Sequence, residues 1–376
     1  MTTRYPFALI KEKLAASNGQ ALDFAIGRRR VPLPEPIDEW IRTHVDHAMR
    51  AANAAETREF VEAAADLLRR EYGVEVDPDC ILPAPGGRAA MSAFLACAVE
   101  PGQPVFVTEP GYPAFARLAA HRHASIQALE LDPTQCFAPD LGPVRGGAAA
   151  APRVIALNYP NNPTGAILSP HMVSSLREIC DPTTILFNDA TYGPLVYDQE
   201  RSSLLHPDLT GNPAIEVVEL HSFAKLFPIG PIAVSFLAGS ASTMHGVSTY
   251  SEFAWSPLSA LQLKATTLCL RDAARLQALR EFFPPQLQNL RHTLEDLGFE
   301  PYPSPSGVYT ICPTPGQIGG KPVASAAEAA ARLMDEFDLA VVPLDTPHHS
   351  YLRFTSLYQP EDLERLADLC NRLQLG

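Results

Sequence analysis

His221-Ser222-Phe223-Ala224-Lys225-Leu226-Phe227-Pro228-Ile229-Gly230 is the stretch on which the reading of this chain turns. Lysine is scarce: five of the 29 basic side chains are Lys and the rest are Arg. A lysine in an apolar segment closed by glycine therefore stands apart from any general basic surface. Taking it out of water favours the neutral amine, and a neutral amine attacks carbonyl carbons. A lysine that leaves a buried strand and reaches for solvent would read the same way. The segments upstream must decide.

Two of them share its form. Ile185-Leu186-Phe187 runs into Asn188-Asp189-Ala190-Thr191-Tyr192-Gly193, and the apolar run 154–157 ends in Asn158-Tyr159-Pro160-Asn161-Asn162-Pro163-Thr164-Gly165. Val218-Glu219-Leu220 leads to Ser222 and Lys225 in the same manner. Ligands of open α/β sheets bind beyond the carboxyl ends of strands. A desolvated carboxylate at Asp189 needs a cationic partner, although a helix N-cap aspartate looks alike. An Asn-Pro pair alone signals only a turn. A fourth place is Pro85-Gly86-Gly87-Arg88, between a short strand at 80–83 and a helix over 89–99. Glycines there leave backbone N–H groups free at the positive end of a helix, a cradle for an anion. Many such turns bind nothing.

Between these places strands and helices alternate. Runs at 105–108, 126–129, 184–187, 217–220 and 232–237 read as strands, and 112–120 and 170–179 as helices, with a loop at 146–152. Strands apolar throughout are covered on both faces, so the class is α/β with a mostly parallel sheet. Long helices are expected over 38–72 and 256–297, and a short one over 5–16. After the proline-rich turn 301–305 comes a smaller α+β unit: strand 308–312, helix 324–337, strands 340–342 and 351–355, helix 360–373. The expected division is a large domain over 45–285 and a small domain of 1–44 with 286–376.

Composition narrows the function. The 376 residues are 46% hydrophobic and 19% charged, with net charge −13. That suits a two-domain globular enzyme and argues against nucleic acid or an anionic membrane as the main partner. Seven scattered cysteines, Cys80, Cys97, Cys136, Cys180, Cys269, Cys312 and Cys370, suggest buried free thiols in a reducing compartment. Neither a secretory apolar segment nor a membrane-spanning run is visible, so the cytoplasm is the expected location.

Asn162-Pro163-Thr164-Gly165, Asp189-x-x-Tyr192, Ser222-Phe223-Ala224-Lys225 and the late Leu352-Arg353-Phe354 together resemble the fold-type I, class I/II aminotransferases that use pyridoxal 5'-phosphate. The resemblance runs from Tyr5 to Leu373, and Tyr5-Pro6-Phe7 with 81–88 looks most like the N-succinyldiaminopimelate aminotransferase branch. It implies a large domain with a seven-stranded, mostly parallel sheet flanked by helices, a small α+β domain, a site between them and a homodimer. It implies amino-acid metabolism: an amino group moves between an L-amino acid and a 2-oxo acid by a ping-pong mechanism. It also implies roles. Lys225 would link to the cofactor and shuttle the substrate proton; Asp189 would keep the ring nitrogen protonated. Asn162 and Tyr192 would bond the phenolic oxygen, and Tyr112 would stack on the ring. Ser222, with the turn Gly86-Gly87-Arg88, would hold the phosphate. Arg353 would grip the α-carboxylate, and Gly27 would lie where the small domain closes.

Three departures bear on the phosphate. Family members usually carry Ser or Thr where this chain has Gly87, an Arg where it has Ala233, and a partner-subunit Tyr near 50–56, where it has none. Each lost charge-assisted bond costs about 1.5–3 kcal/mol. Arg88, or Arg50 of a neighbouring copy, is the nearest replacement. Arg28-Arg29-Arg30 also departs from the pattern and would suit a second substrate carboxylate or a solvated turn. Relatives of these enzymes use the same lysine, aspartate and asparagine for elimination, cyclisation or oxidation, so those reactions, or a degenerate non-catalytic protein, stay as alternatives. Ser222-x-x-Lys225 also fits the S-x-x-K of serine hydrolases, but its companion motifs are missing. The pairs His44/His47, His121/His123 and His348/His349 lack a third zinc ligand.

Overall fold

The computed structural model describes residues 6–17, 19–27, 31–145, 153–197, 201–206 and 215–375. Arg28-Arg29-Arg30 and the expected 146–152 loop lie outside the described residues. The chain forms two compact units: Met1–Arg30 with Asn162–Gly165 and Glu281–Gly376, and Val31–Asn161 with Ala166–Arg280.

The larger unit is built on one sheet whose described strands run Ile81–Ala84, Ser235–Gly239, Glu216–Ser222, Thr184–Asp189, Arg153–Leu157, Pro104–Glu109, Ser125–Asp132, Ala138–Pro139. That makes eight strands rather than seven, the last being a two-residue antiparallel edge. The five from Glu216–Ser222 to Ser125–Asp132 are parallel. Ser235–Gly239 is antiparallel to both of its neighbours. Every residue of Arg153–Leu157 is buried, which explains its unbroken apolar reading. One consequence positions the site: the carboxyl ends of the parallel strands and the amino end of Ser235–Gly239 lie at one edge.

The helices differ most from expectation. The stretch 38–72 is not one helix. Glu35–Thr43 ends, a 3₁₀ turn covers Val45–Met49, and Ala54–Tyr72 starts afresh. The break is written in Asn53, whose side chain accepts from Glu56 N while Glu56 accepts from Asn53 N. Gly73, at φ 67°, ends the helix left-handed. The expected helix over 256–297 is likewise two, Ala260–Arg271 and Ala273–Asp296, separated at Asp272. A helix at Ala241–Ala254 went unread; it buries only Met244, Val247 and Ser251, so no apolar stripe announces it.

The smaller unit carries an antiparallel sheet in the order Tyr309–Pro313, Ser350–Thr355, Val342–Asp345. The short strand Leu22–Asp23 pairs in parallel with Leu339–Ala340. Phe24, Leu290, Leu294, Leu333, Leu352, Phe354 and Leu366 share its core. The tetrapeptide Asn162–Gly165 belongs here because Ser306 Oγ donates to Gly165 O at 2.6 Å and Arg353 Nη1 to Asn162 Oδ1 at 3.0 Å.

All seven cysteines are free, but they are not all buried: Cys97, Cys136 and Cys370 are exposed. Among the described residues no helix is long and apolar enough to cross a membrane. The Asn53 cap is testable. Asn53→Ala removes one half of a reciprocal pair and should cost about 1 kcal/mol. Thermal melting reads this, and an unchanged transition would mean the cap does not hold the helix start.

Candidate active site

Asp189 is the last residue of Thr184–Asp189 and is 7% exposed. Its Oδ1 accepts from Thr191 N at 3.2 Å and from Thr191 Oγ1 at 2.5 Å. No ion pair engages it among the described residues. Burial pushes its carboxyl up from the ordinary range, opposed by the Thr191 hydrogen bonds and by the charges of His221 and Lys225. A carboxylate held dry with two neutral donors is a site for a cation.

Its position is fixed by two asparagines that sequence reasoning passed over. Asn158 Nδ2 donates to Asp189 O at 2.9 Å. Asn188 accepts from Tyr159 N at 2.8 Å, and its Nδ2 donates to Tyr159 O at 2.9 Å. These bonds stitch together the ends of neighbouring parallel strands. Asn188 Nδ2 also reaches Glu219 Oε1 at 3.1 Å. Burial alone would raise the Glu219 carboxyl, but His221, whose Nε2 lies 3.3 Å from Oε2, together with Ser203 and Asn188 holds it below its usual value. The available signal was an Asn just after one apolar run and another near the end of the next.

A cavity of about 370 Å³ opens in front of Asp189. Tyr112, Glu109, Asn158 and Asp189 give it polar edges, and Met91, Phe115 and Phe187 give it apolar walls. Tyr192 is buried and begins the 3₁₀ turn Gly193–Leu195. Ser222 ends Glu216–Ser222 and is 9% exposed. Gly86 adopts φ 91°, a conformation that favours glycine, and precedes the helix Gly87–Ala98, which no side chain caps. A Cβ on Gly87 would stand 3.2 Å from Leu220 Cδ2, so a larger residue there would press on that leucine. The larger unit holds Lys225, Asp189, Tyr192, Tyr112, Ser222 and the Gly86-Gly87-Arg88 turn, and of these Tyr112 and Asp189 line the cavity.

Two expectations need correction. Lys225 is exposed, not desolvated. The burial argument moves to Asp189, on which the Lys225 charge acts. Arg50 is not spare: its guanidinium makes a paired contact with Glu56 at 2.9 and 2.6 Å, which with the Asn53 N–H holds the Glu56 carboxyl down to about 2. Arg88 is exposed.

The smaller unit holds the other three nominated residues. Arg353 is 3% exposed on Ser350–Thr355. Its Nη1 donates to Asn162 Oδ1 at 3.0 Å and its Nη2 to Ala25 O at 2.9 Å, and the guanidinium lies 4.0 Å from the Tyr309 ring centroid. Gly27 has φ 85°, and a Cβ there would meet Leu357 Cβ at 2.4 Å. Only glycine fits.

The family pattern for aminotransferase class I and II matches residues 22–369. The chain is a class I/II aminotransferase. It is 27% identical to LL-diaminopimelate aminotransferase of Methanocaldococcus jannaschii, covering 81% of this chain and 73% of that one. It is 28% identical to the probable N-succinyldiaminopimelate aminotransferase of Mycobacterium tuberculosis over 75% of this chain and 70% of the relative. The solved N-succinyldiaminopimelate aminotransferase from Mycobacterium tuberculosis superposes with TM-score 0.84 at 23% identity and covers 98% of both chains; this likeness concerns the fold. The fold of this aminotransferase is therefore the fold-type I one, and its reaction is amino transfer. Enzymes of this family typically depend on pyridoxal phosphate.

The raised Asp189 carboxyl gives a signed prediction. A folded pKa above the unfolded value destabilises the fold wherever the unfolded carboxyl is ionised, so the cost grows as pH rises through the ordinary carboxylate range. In Asp189→Asn that cost should vanish, and the cofactor-free protein should melt at or above the wild-type temperature at neutral pH. Turnover should nevertheless fall by at least about 100-fold. A variant that melts earlier and turns over normally would contradict the reading of Asp189 as a functional rather than a structural carboxylate.

Proposed function

We propose that this aminotransferase holds pyridoxal phosphate in the larger unit and moves an amino group from an L-amino acid to a 2-oxo acid. The observation that carries the reading is Asp189, a buried carboxylate that has no ion pair among the described residues and lines a cavity with Tyr112. A flat pyridinium ring is the kind of cation such a place takes. Tyr112 would stack on it, Tyr192 would bond its phenolic oxygen, and Ser222 with the Gly86-Gly87-Arg88 turn would receive the phosphate. Bound there, the cofactor supplies an aldehyde that takes up the amino group and a ring that spreads the electrons left on the donor's Cα.

The chain's own residues do the rest. Asp189 would keep a proton on the ring nitrogen. Lys225 would hold the cofactor through its amine, and its Nζ would take the proton from the donor's Cα. Arg353 is oriented by Asn162 Oδ1 and Ala25 O, and offers its fork to the substrate α-carboxylate. The donor leaves as a 2-oxo acid before the acceptor enters, which makes the kinetics ping-pong. Relatives named for diaminopimelate make amino acids with a second charged end the first substrates to screen. We further propose a homodimer, as the family resemblance implies; Val45, Met49 and Phe253, 66%, 89% and 86% exposed, are apolar side chains that such an interface would cover.

Two substitutions test the roles. Lys225→Ala should cut turnover by at least about 100-fold with the melting curve retained; retained activity removes the mechanism. Arg353→Ala should raise the KM for amino acids about 10- to 100-fold while amines without the carboxylate lose little. Equal losses for both would deny Arg353 its grip.

A further inference from the structure

Ser235 begins the strand Ser235–Gly239 and is 1% exposed. Its hydroxyl is shut from solvent and has no hydrogen-bond partner among the described residues. Buried polar groups in native folds are nearly always satisfied, so an orphan marks a partner still to come.

The sheet register says where that partner would be. Ser235 lies opposite Ala84 on one side and Ser222 on the other. Ala84 leads through Gly86 into the uncapped start of the helix Gly87–Ala98. Directly opposed residues of antiparallel strands project to the same face, and residues two apart on one strand share a face. Leu220 approaches Gly87, so Leu220 and Ser222 face that helix, and Ser235 faces it with them. Ala84, Leu220 and Leu237 pack with Met91 and Phe94 of the helix in one core, which places the same row on the same side. At the end of this row Ala84, Ser235 and Ser222 stand side by side, one step along the same face from Leu220, which meets the helix start at Gly87. The strand start is fixed as well: Val234 N donates to Thr266 Oγ1 at 3.0 Å.

We infer that Ser235 is a second side-chain hydroxyl of the phosphate site, beside Ser222, and supplies part of the anchoring that Gly87 and Ala233 do not. The inference rests on the cofactor reading above. Serine has three staggered positions about a single bond, so its hydroxyl is re-aimed without backbone movement. The ligand class is a phosphate monoester dianion, gripped by two hydroxyls and the backbone N–H groups of a helix start.

The test compares pyridoxal phosphate with pyridoxal, which lacks the phosphate. Apo wild-type protein and Ser235→Ala are titrated with each, reading visible absorbance at equilibrium and the rise in melting temperature on binding. The expected result is about 10- to 100-fold weaker binding of pyridoxal phosphate by Ser235→Ala, with pyridoxal affinity within about twofold of wild type. The ligand-free variant should melt no earlier than wild type, since it loses only an unpaired hydroxyl. If wild type favours the phosphorylated form and Ser235→Ala keeps the full preference, Ser235 has no part in the site and the cofactor reading survives. If Ser235→Ala weakens both forms equally, the residue serves packing and the inference is overturned. If wild type takes up neither form, the cofactor reading falls, and this inference with it.

Discussion

The fold takes one carboxylate, Asp189, out of water without giving it an ion pair among the described residues, and hydrogen bonds between adjacent strand ends hold it there. The carboxylate sits where a parallel strand ends, with two neutral donors from Thr191 and the distant charges of His221 and Lys225. Burying a charge this way is unfavourable. A protein keeps such an arrangement when a cation arrives to complete it, and the cost then becomes binding energy and electronic control of the ligand. The supports follow from this. Asn158 and Asn188 tie adjacent strand ends to each other, so Asp189 cannot swing toward solvent.

Around it the groups fall into two kinds by their physics. Phe187, Phe115 and Met91 make a dry wall, which strengthens the field of Asp189 on whatever lies in the cavity. At the other end of the same sheet edge the groups are neutral donors: Ser222, Ser235 and the start of the helix Gly87–Ala98. An elongated ligand with a cationic ring and an anionic tail matches this polarity. In the smaller unit Arg353 shows the opposite strategy. Its charge is buried too, but it is already oriented by Asn162 and Ala25 and lies against the Tyr309 ring.

Much of this could be read from residue order. The parallel strands were visible because burial on both faces makes them continuously apolar, as in Arg153–Leu157. Asp189, Ser222 and Lys225 were visible because polar residues at the ends of such strands stand out. The helix breaks were harder. Asn53 caps a helix in the middle of one long helical pattern and Asp272 interrupts another, and periodicity passes over both. Ala241–Ala254 has almost no apolar face to read. Lys225 looked buried because its neighbours Leu226 and Phe227 are, yet its own side chain is exposed. Ser235 gave no signal in sequence; only the pairing of its strand with Ser222 and Ala84 gives it a place.

The account depends on a bond between one particular amine and an aldehyde cofactor whose ring nitrogen meets Asp189. Incubation with pyridoxal phosphate, reduction with borohydride and peptide mapping by mass spectrometry test that bond directly. The account predicts the cofactor's mass on the peptide containing Lys225 and on no other. Label spread over Lys11, Lys13, Lys264 and Lys321, or absent altogether, would contradict it.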